Sequence, residues 1–594
     1  MFLRRALFAL SLSAALFAAT VHVKDPKKPS EPSVPGVQRY LRSLSLRDKI
    51  AQLVIMPVYG EPANVRSAQF RRYLHLIQSL HIGGVIVMGH TQNGVVRSAE
   101  PYALAALLNR LQKMSHLPLL VAADFERGAS MRVASTTSWP YNMAFAAAKD
   151  FADASYEGAE TARDARAMGV NWLFAPVSDV NNNPDNPIIN IRSYGENPDE
   201  VSGFVQAFVV GAHSDPKNPV LVTAKHFPGH GDTSEDSHIG LAKLTADLDR
   251  INAVELKPFR ASIAAGVDSI MTAHLSVPAL DPENEPASVS PKIVTDLLRN
   301  ELNFHGLVVT DAMDMQGLAS MFNTAEASVR AIEAGSDVLL MPNRAEDAIN
   351  GVLAAVNSGR ISRKRIDESV TRVLAAKLRL GLMRKKTVVL EDIADVVDSP
   401  EATERAQTVA DRAITLVKDE KGSLPLRYPE STCLVALSEN RRGQQGQQLI
   451  EEVKKRAPSM TTFLLDASMS KTDLDQVAAK VETCSRIVLA AYVTVAAYRG
   501  NVALAGNYPD FVRGLIETNI PVTLAALGNP YLVLSFPHVS AYLATFSSTP
   551  TSEIALAKAL LGEIPITGHL PVTLPGISQY GEGIQLAALP QKGF

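Results

Sequence analysis

Between Lys225 and His238 the chain places one lysine, three histidines and three carboxylates within fourteen residues. The run reads Lys225-His226-Phe227-Pro228-Gly229-His230-Gly231, then Asp232, Glu235 and Asp236-Ser237-His238. A short apolar stretch, Val220 to Ala224, leads into it. Charges and imidazoles on a glycine- and proline-bearing loop leaving a strand do not read as core packing, because each would need a buried partner. They read as chemistry. In the Asp236–His238 pair the carboxylate orients an imidazole that ordinarily titrates near working pH, which suits the pair to proton transfer.

A positioned loop needs a frame, and the frame is legible in the hydrophobic rhythm. Eight short apolar runs recur from Ser45 onward: Ile50–Val58, Ile82–Gly89, Leu117–Asp124, Val170–Val180, Val220–His226, Val267–His274, Leu307–Asp311 and Ser336–Met341. Helix-like segments such as Tyr102–Met114, Ala154–Met168 and Ala325–Ala334 lie between them. Strand and helix alternating eight times predict a closed (β/α)8 TIM-type barrel over residues 37–383. Polar residues gather where the runs end: Asp124, Lys225-His226, His274 and Asp311, with Arg192 in the loop after the fourth. Barrel enzymes carry their sites at that C-terminal mouth.

Basic and polar residues 384–400 read as a linker or a segment draped over the barrel. Residues 401–594 open with a helix-like run, Pro400 to Ala413. Candidate strands follow at Thr432–Leu437, Thr461–Leu465, Arg486–Val493, Val522–Leu527 and Ala541–Phe546. They predict an αβα sandwich as the C-terminal domain, in keeping with a 594-residue chain too long for one ordinary core. Nothing in that domain matches the barrel's cluster of charges, so the barrel is expected to hold a complete catalytic set.

The N-terminus reads as an address. Arg4-Arg5 precede the apolar run Ala6 to Ala19, which is the pattern of a secretory signal over residues 1–20. A Lys/Pro/Ser-rich linker, 21–36, follows. The run is short for a span of roughly 20 residues, so a membrane partner is expected only if the segment stays uncleaved. The expected location is exported, periplasmic or extracellular. A net charge of -3 argues against nucleic acid as a partner. Cys433 and Cys484 lie in adjacent strand-like runs and read as two unpaired core thiols, with pairing as the alternative.

The Lys225–Gly231 run with Asp236-Ser237-His238 resembles the signature of glycoside hydrolase family 3, in its β-N-acetylglucosaminidase branch. Asn171–Val180, Asn190–Gly195 and Val309–Met315 are similar to that family's fourth- and seventh-strand regions. Gly528–Tyr531 and Thr567–Thr573 resemble the second domain of its two-domain members. The Asp-Ser-His triplet is the most specific part, since it separates this branch from glucosidases that take their acid from a glutamate in the second domain. The block Asp124–Arg132 keeps the family's aspartate and an arginine eight residues on. It carries Arg127 and Ala129-Ser130 where Gly and Gly-x-Val are more usual.

The resemblance implies a retaining hydrolase of terminal GlcNAc residues that needs no cofactor and no metal, with a GlcNAc-containing oligosaccharide such as a peptidoglycan fragment as its partner. Retention needs one carboxylate to form a covalent glycosyl-enzyme and one acid to protonate the leaving oxygen. Asp311 fits the first role and His238 the second, with Asp236 fixing its tautomer. Asp124, Arg132, Arg192, Lys225 and His226 would grip the sugar. Three other readings stand beside this one. A phosphorylase is the first, since a neutralisable histidine repels a phosphate anion less than a carboxylate does. A metal-dependent hydrolase would use the same imidazoles and carboxylates as ligands, although Lys225 opposes a bound cation. A sugar-binding protein with a decayed site is the third, against which the intact Asp311, Asp236 and His238 argue.

Overall fold

A computed structural model describes residues 35–60, 64–92, 95–440 and 443–590. The expected export signal, and all but the last two residues of the linker after it, lie outside the described residues. Eight parallel strands form the first sheet: β1 (Val54–Tyr59), β2 (Gly84–Met88), β3 (Leu120–Ala123), β4 (Trp172–Leu173), β5 (Leu221–Phe227), β6 (Ser269–Thr272), β7 (Leu307–Thr310) and β8 (Leu339–Leu340). They pair in sequence order, β8 against β1, and a bridge from Val309 to Val338 joins β7 to β8 and closes the ring. All eight apolar runs contribute a strand.

Strands covered on both faces read as unbroken apolar runs, and here nearly every strand residue is buried. The indole of Trp172 is fully buried, and its Nε1 links β4 to β5 and β6 by donating to Thr223 Oγ1 at 2.7 Å and Ser269 Oγ at 3.1 Å. Helices between the strands start and stop on local signals. Phe151–Met168 is capped by Asp150 and ended by Gly169; Thr324–Ala334 is capped by Asn323 and ended by Gly335. Residues 386–393 lie along the barrel, with Val388 exchanging two hydrogen bonds with the Asn109 side chain. Among the described residues, no helix is long and apolar enough to cross a membrane.

The second sheet has six strands: β9 (Thr415–Asp419), β10 (Thr432–Ser438), β11 (Thr461–Asp466), β12 (Arg486–Val493), β13 (Val522–Gly528) and β14 (Ala541–Ala544). Their order is β9-β14-β13-β12-β10-β11, all parallel except β9, which runs antiparallel to β14. Side chains alternate between two cores. Cys433, Val435 and Leu437 face helices Lys471–Val481 and Tyr508–Ile516, while Leu434 and Ala436 face Gln447–Arg456 and Pro550–Leu560. This is the expected αβα sandwich, with β9 as an edge strand beyond the five anticipated.

One expectation is corrected. Cys433 and Cys484 form a disulfide, with Cα atoms 5.8 Å apart. Parallel pairing of β10 with β12 sets Thr432 opposite Arg486, which carries Cys484, two residues upstream, beside Cys433. That register is a tertiary fact that composition does not carry.

The domains share a substantial interface. Met143, Ala144 and Ile191 of the barrel pack into the sandwich core. Asp153 takes ion pairs from Arg405 and Arg412. Glu196 accepts from both the N–H and the hydroxyl of Thr573, at 2.7 and 2.6 Å. Gly195 has φ +138°, and a Cβ there would meet the Pro571 carbonyl oxygen at 2.4 Å, so only glycine lets the two backbones approach.

Candidate active site

The C-terminal ends of the strands converge on one mouth. Asp124 follows β3, and its Oδ1 accepts from Lys225 Nζ at 2.8 Å while Oδ2 accepts from Arg132 Nη2 at 2.9 Å. Lys225, on β5, also lies 2.7 Å from Glu126 Oε1. Glu126 in turn receives Arg192 in a two-pronged contact, 2.7 Å from Nη2 and 2.8 Å from Nε. Charges this buried persist only when each is paired, and here three cations interlock with two carboxylates. Burial raises the Asp124 carboxyl, but Lys225 and Arg132 outweigh it and hold it at about 2. Burial likewise pushes Glu126 up, and Arg192 and Lys225 carry it well below its ordinary value.

Exposure separates the ranks of this network. The Asp124 and Arg132 side chains each keep 18% of their accessible surface, whereas Lys225 keeps 2%. Asp124 and Arg132 therefore face the opening, and Lys225 stands behind them. His226 donates from Nδ1 to the buried Asp179 at 2.7 Å, which turns Nε2 toward Arg192 Nη2, 3.3 Å away. The KHFPGHG loop runs close under this layer. A Cβ on Gly231 would meet the Val180 carbonyl oxygen at 1.8 Å.

Asp311 directly follows β7. Its N–H donates to Thr272 O at 2.9 Å, and its Oδ1 accepts the Ala312 N–H at 2.8 Å. Burial raises this carboxyl, yet His226, His274 and His238, with the Ala312 N–H, bring it below its usual value. His274 is fully buried and fixes that turn: Nε2 donates to Ala312 O at 3.1 Å, and Nδ1 accepts from Ser288 Oγ at 2.7 Å. Asp236 Oδ1 accepts both the main-chain N–H and the Nδ1–H of His238, at 2.9 and 2.7 Å. The loop that carries them is tied to the segment after β7 through Gly317 N to Ser237 O at 3.1 Å. Asp236 is inaccessible, while the His238 ring keeps 24% exposure and presents its Nε2 edge outward.

Each residue singled out in the sequence thus lies at this mouth: Asp311, His238 and Asp236, and also Asp124, Arg132, Arg192, Lys225 and His226. His230 resolves as a loop fastener, with Nδ1 on Thr233 and Nε2 on Ser237. The imidazoles do not converge as a ligand set. Among the described residues no group of three or more His, Cys, Asp or Glu is arranged to hold a metal ion. The two departures in the Asp124–Arg132 block answer each other, since Arg127 Nη1 donates to Ser130 Oγ at 3.1 Å.

Three residues escaped the sequence reading. Glu126 holds Lys225 and Arg192 in place, and Asp179 holds His226. The third is Tyr498 of the second domain, whose N–H donates to Asp236 Oδ2 at 2.9 Å. Its ring meets His238 edge-on at 5.1 Å. The first two lie inside quoted motifs but gave no sign of their partners; Tyr498 gave none at all.

Comparison with known proteins agrees with this architecture. The family model "Glycosyl hydrolase family 3 N terminal domain" matches residues 45–376. A curated relative from Cellulomonas fimi, a β-N-acetylglucosaminidase/β-glucosidase, is 29% identical over 91% of this chain and 95% of its own length. The solved structure of a glycoside hydrolase family 3 β-N-acetylglucosaminidase from Paenibacillus sp. str. FPU-7 superposes with a TM-score of 0.79 at 32% identity. It covers 90% of this chain and 99% of that one. A β-glucoside phosphorylase, BglX, also superposes with a TM-score of 0.79 at 25% identity, covering 92% and 97%.

Proposed function

The chain belongs to glycosyl hydrolase family 3, and on that premise we propose that it is a retaining exo-β-N-acetylglucosaminidase. Its substrates are glycans ending in GlcNAc. The export pattern at Arg4-Arg5 and Ala6 to Ala19 favours a place outside the cytoplasm, where peptidoglycan fragments are within reach. The observation that carries the reading is the Asp236–His238 dyad, set within the barrel and presented at the same mouth as Asp311.

The chemistry follows from those groups. Asp311 attacks the anomeric carbon and forms a glycosyl ester. As the glycosidic bond breaks, the protonated His238 passes its Nε2 proton to the leaving oxygen. Neutral His238 then takes a proton from water, whose oxygen attacks the anomeric carbon and frees Asp311. Two inversions give net retention. Asp236 keeps Nδ1 protonated throughout and supports the transient imidazolium. Asp124 and Arg132 hold ring hydroxyls, with Arg192 and His226 beside them and Lys225 bracing Asp124 from behind.

A second reading is phosphorolysis. It rests on His238, which once deprotonated places no negative charge where phosphate would attack. One assay decides both. The purified protein is incubated with aryl GlcNAc, GalNAc and glucose glycosides and with the β-1,4 GlcNAc disaccharide, with and without inorganic phosphate. Free β-GlcNAc in either condition supports hydrolysis, and GlcNAc-1-phosphate in the second supports phosphorolysis. Turnover of glucosides alone would overturn the GlcNAc assignment.

A further inference from the structure

The second domain reaches the dyad through Tyr498. The loop leaving β12 crosses to the barrel mouth and lays the main-chain N–H of Tyr498 against Asp236 Oδ2 at 2.9 Å. Asp236 already gives Oδ1 to both nitrogens it serves on His238, so Tyr498 fills the far side of the same carboxylate. Tyr498 holds φ at +65°, a conformation that side-chain-bearing residues rarely adopt. Something must hold it there, and the anchors are visible. Glu439, just past β10, accepts from Thr494 N at 3.1 Å and Thr494 Oγ1 at 2.5 Å, and pairs with Arg499. Arg499 Nη2 also donates to Ala503 O at 3.2 Å. Asn529 ties the loop's far end through Val502 O at 2.9 Å and receives Asn190 of the barrel at 3.1 Å. Gly500 rests beside Ile239, next to the dyad.

The Tyr498 ring stands edge-on to His238 and is 61% exposed. A large aromatic left this open beside an acid has a direction: the acid protonates the leaving oxygen, so its neighbour stands on the leaving-group side. Aromatic faces bind the apolar face of a sugar ring at little entropic cost.

We propose that Tyr498 is a positioning and specificity residue contributed by the second domain: its N–H completes the Asp236–His238 dyad, and its ring forms the wall that receives the departing sugar. The inference rests on the glycosidase reading above. The catalytic groups themselves, Asp311, His238 and Asp236, remain in the barrel, and residue 498 adds the dyad's outer hydrogen bond.

The test separates the N–H from the ring. Arg499→Ala loosens the anchored loop, whereas Tyr498→Gly keeps the N–H and the positive φ and deletes the ring. Both are compared with the parent on a GlcNAc disaccharide and on aryl GlcNAc glycosides of graded leaving-group acidity. Arg499→Ala is expected to lower kcat/KM about tenfold or more on the disaccharide and less than threefold on the dinitrophenyl glycoside, because only the poor leaving group needs the acid. Tyr498→Gly is expected to raise KM for the disaccharide severalfold while preserving the parent's dependence on leaving-group acidity. Equal losses on all substrates for Arg499→Ala would make the loop merely structural and overturn the proposal; so would no loss. A steepened leaving-group dependence in Tyr498→Gly, or an unchanged disaccharide KM, would overturn the division between N–H and ring. A parent inactive on every GlcNAc glycoside would sink the glycosidase reading itself, a result distinct from all of these.

Discussion

Asp179 Oδ2 lies 2.7 Å from Nδ1 of His226, and the same carboxylate accepts the main-chain N–H groups of both His226 and His230. It is fully buried, and burial alone would push it up; His226 and the donors around it bring it below its ordinary value. One side chain thereby sets the tautomer of His226 at the barrel mouth and the path of the loop that carries the dyad.

Replacing it therefore has two separable costs. Asp179→Ala leaves two N–H groups and a ring nitrogen without a partner in a buried place, and is expected to destabilise the fold by about 3 kcal/mol. Asp179→Asn keeps the shape and one acceptor. It is expected to unfold at a temperature closer to the parent's while still losing about a hundredfold in kcat/KM. Calorimetry and steady-state kinetics on the two variants check this, and equal Tm values for Ala and Asn would refute the structural half.

Asp311 is the group whose removal should be least forgiving. Asp311→Asn keeps the Ala312 N–H contact and the buried volume but cannot form the glycosyl ester. Turnover of aryl GlcNAc is expected to fall about a thousandfold or more, with ground-state binding retained. Mass spectrometry of the parent treated with a fluorinated GlcNAc donor should find the sugar on the peptide that contains Asp311. Label on another carboxylate, or activity of Asp311→Asn within tenfold of the parent, would remove it from this role.

How far the sequence could carry these assignments depended on the span of each contact. Asp236 and His238 are two residues apart, so their hydrogen bond is a local fact and readable as such. The barrel strands were readable because a strand buried on both faces must be apolar throughout. Helix starts such as Ser399-Pro400 were readable because a cap needs only its own first turn. Glu126 with Arg192, Asp179 with His226 and Tyr498 with Asp236 join residues 66, 47 and 262 apart, and nothing local marks them. β9 escaped for the same reason, since Thr415–Asp419 gains its identity from distant partners, β14 and a bridge to Ile584. The Cys433–Cys484 bond likewise depends on the register of two neighbouring strands.

His238 should show its role through the leaving group. With a dinitrophenyl aglycone, formation of the glycosyl ester needs no proton, so His238→Ala is expected to slow that step little and hydrolysis of the ester much. Azide, which needs no base, should then accelerate turnover and yield a β-glycosyl azide. On the GlcNAc disaccharide the same variant is expected to lose about a thousandfold. Inverted azide product, or equal damage on both substrates, would contradict a histidine acid/base working with a covalent nucleophile.

Glu255 gives the stability a pH dependence of its own. Its side chain is 1% exposed beneath Gly229, facing Arg250 Nη2 at 3.1 Å without hydrogen-bond alignment. Burial raises its carboxyl to about 7, against the opposing pull of Arg250. A carboxyl whose folded pKa exceeds its unfolded one binds the extra proton only in the folded state. Stability then falls as pH rises from the unfolded value, about 4.3, through 7, and the full penalty remains above it. Glu255→Gln removes the ionisation and keeps the volume. The variant is expected to match or fall slightly below the parent near pH 4.5 and to exceed it at pH 8 by about 2–3 kcal/mol, a few degrees in Tm for a chain of this size. Thermal unfolding of both proteins across pH 4.5–8.5 measures the difference directly. A gap that stays constant with pH would show that Glu255 does not titrate in this range.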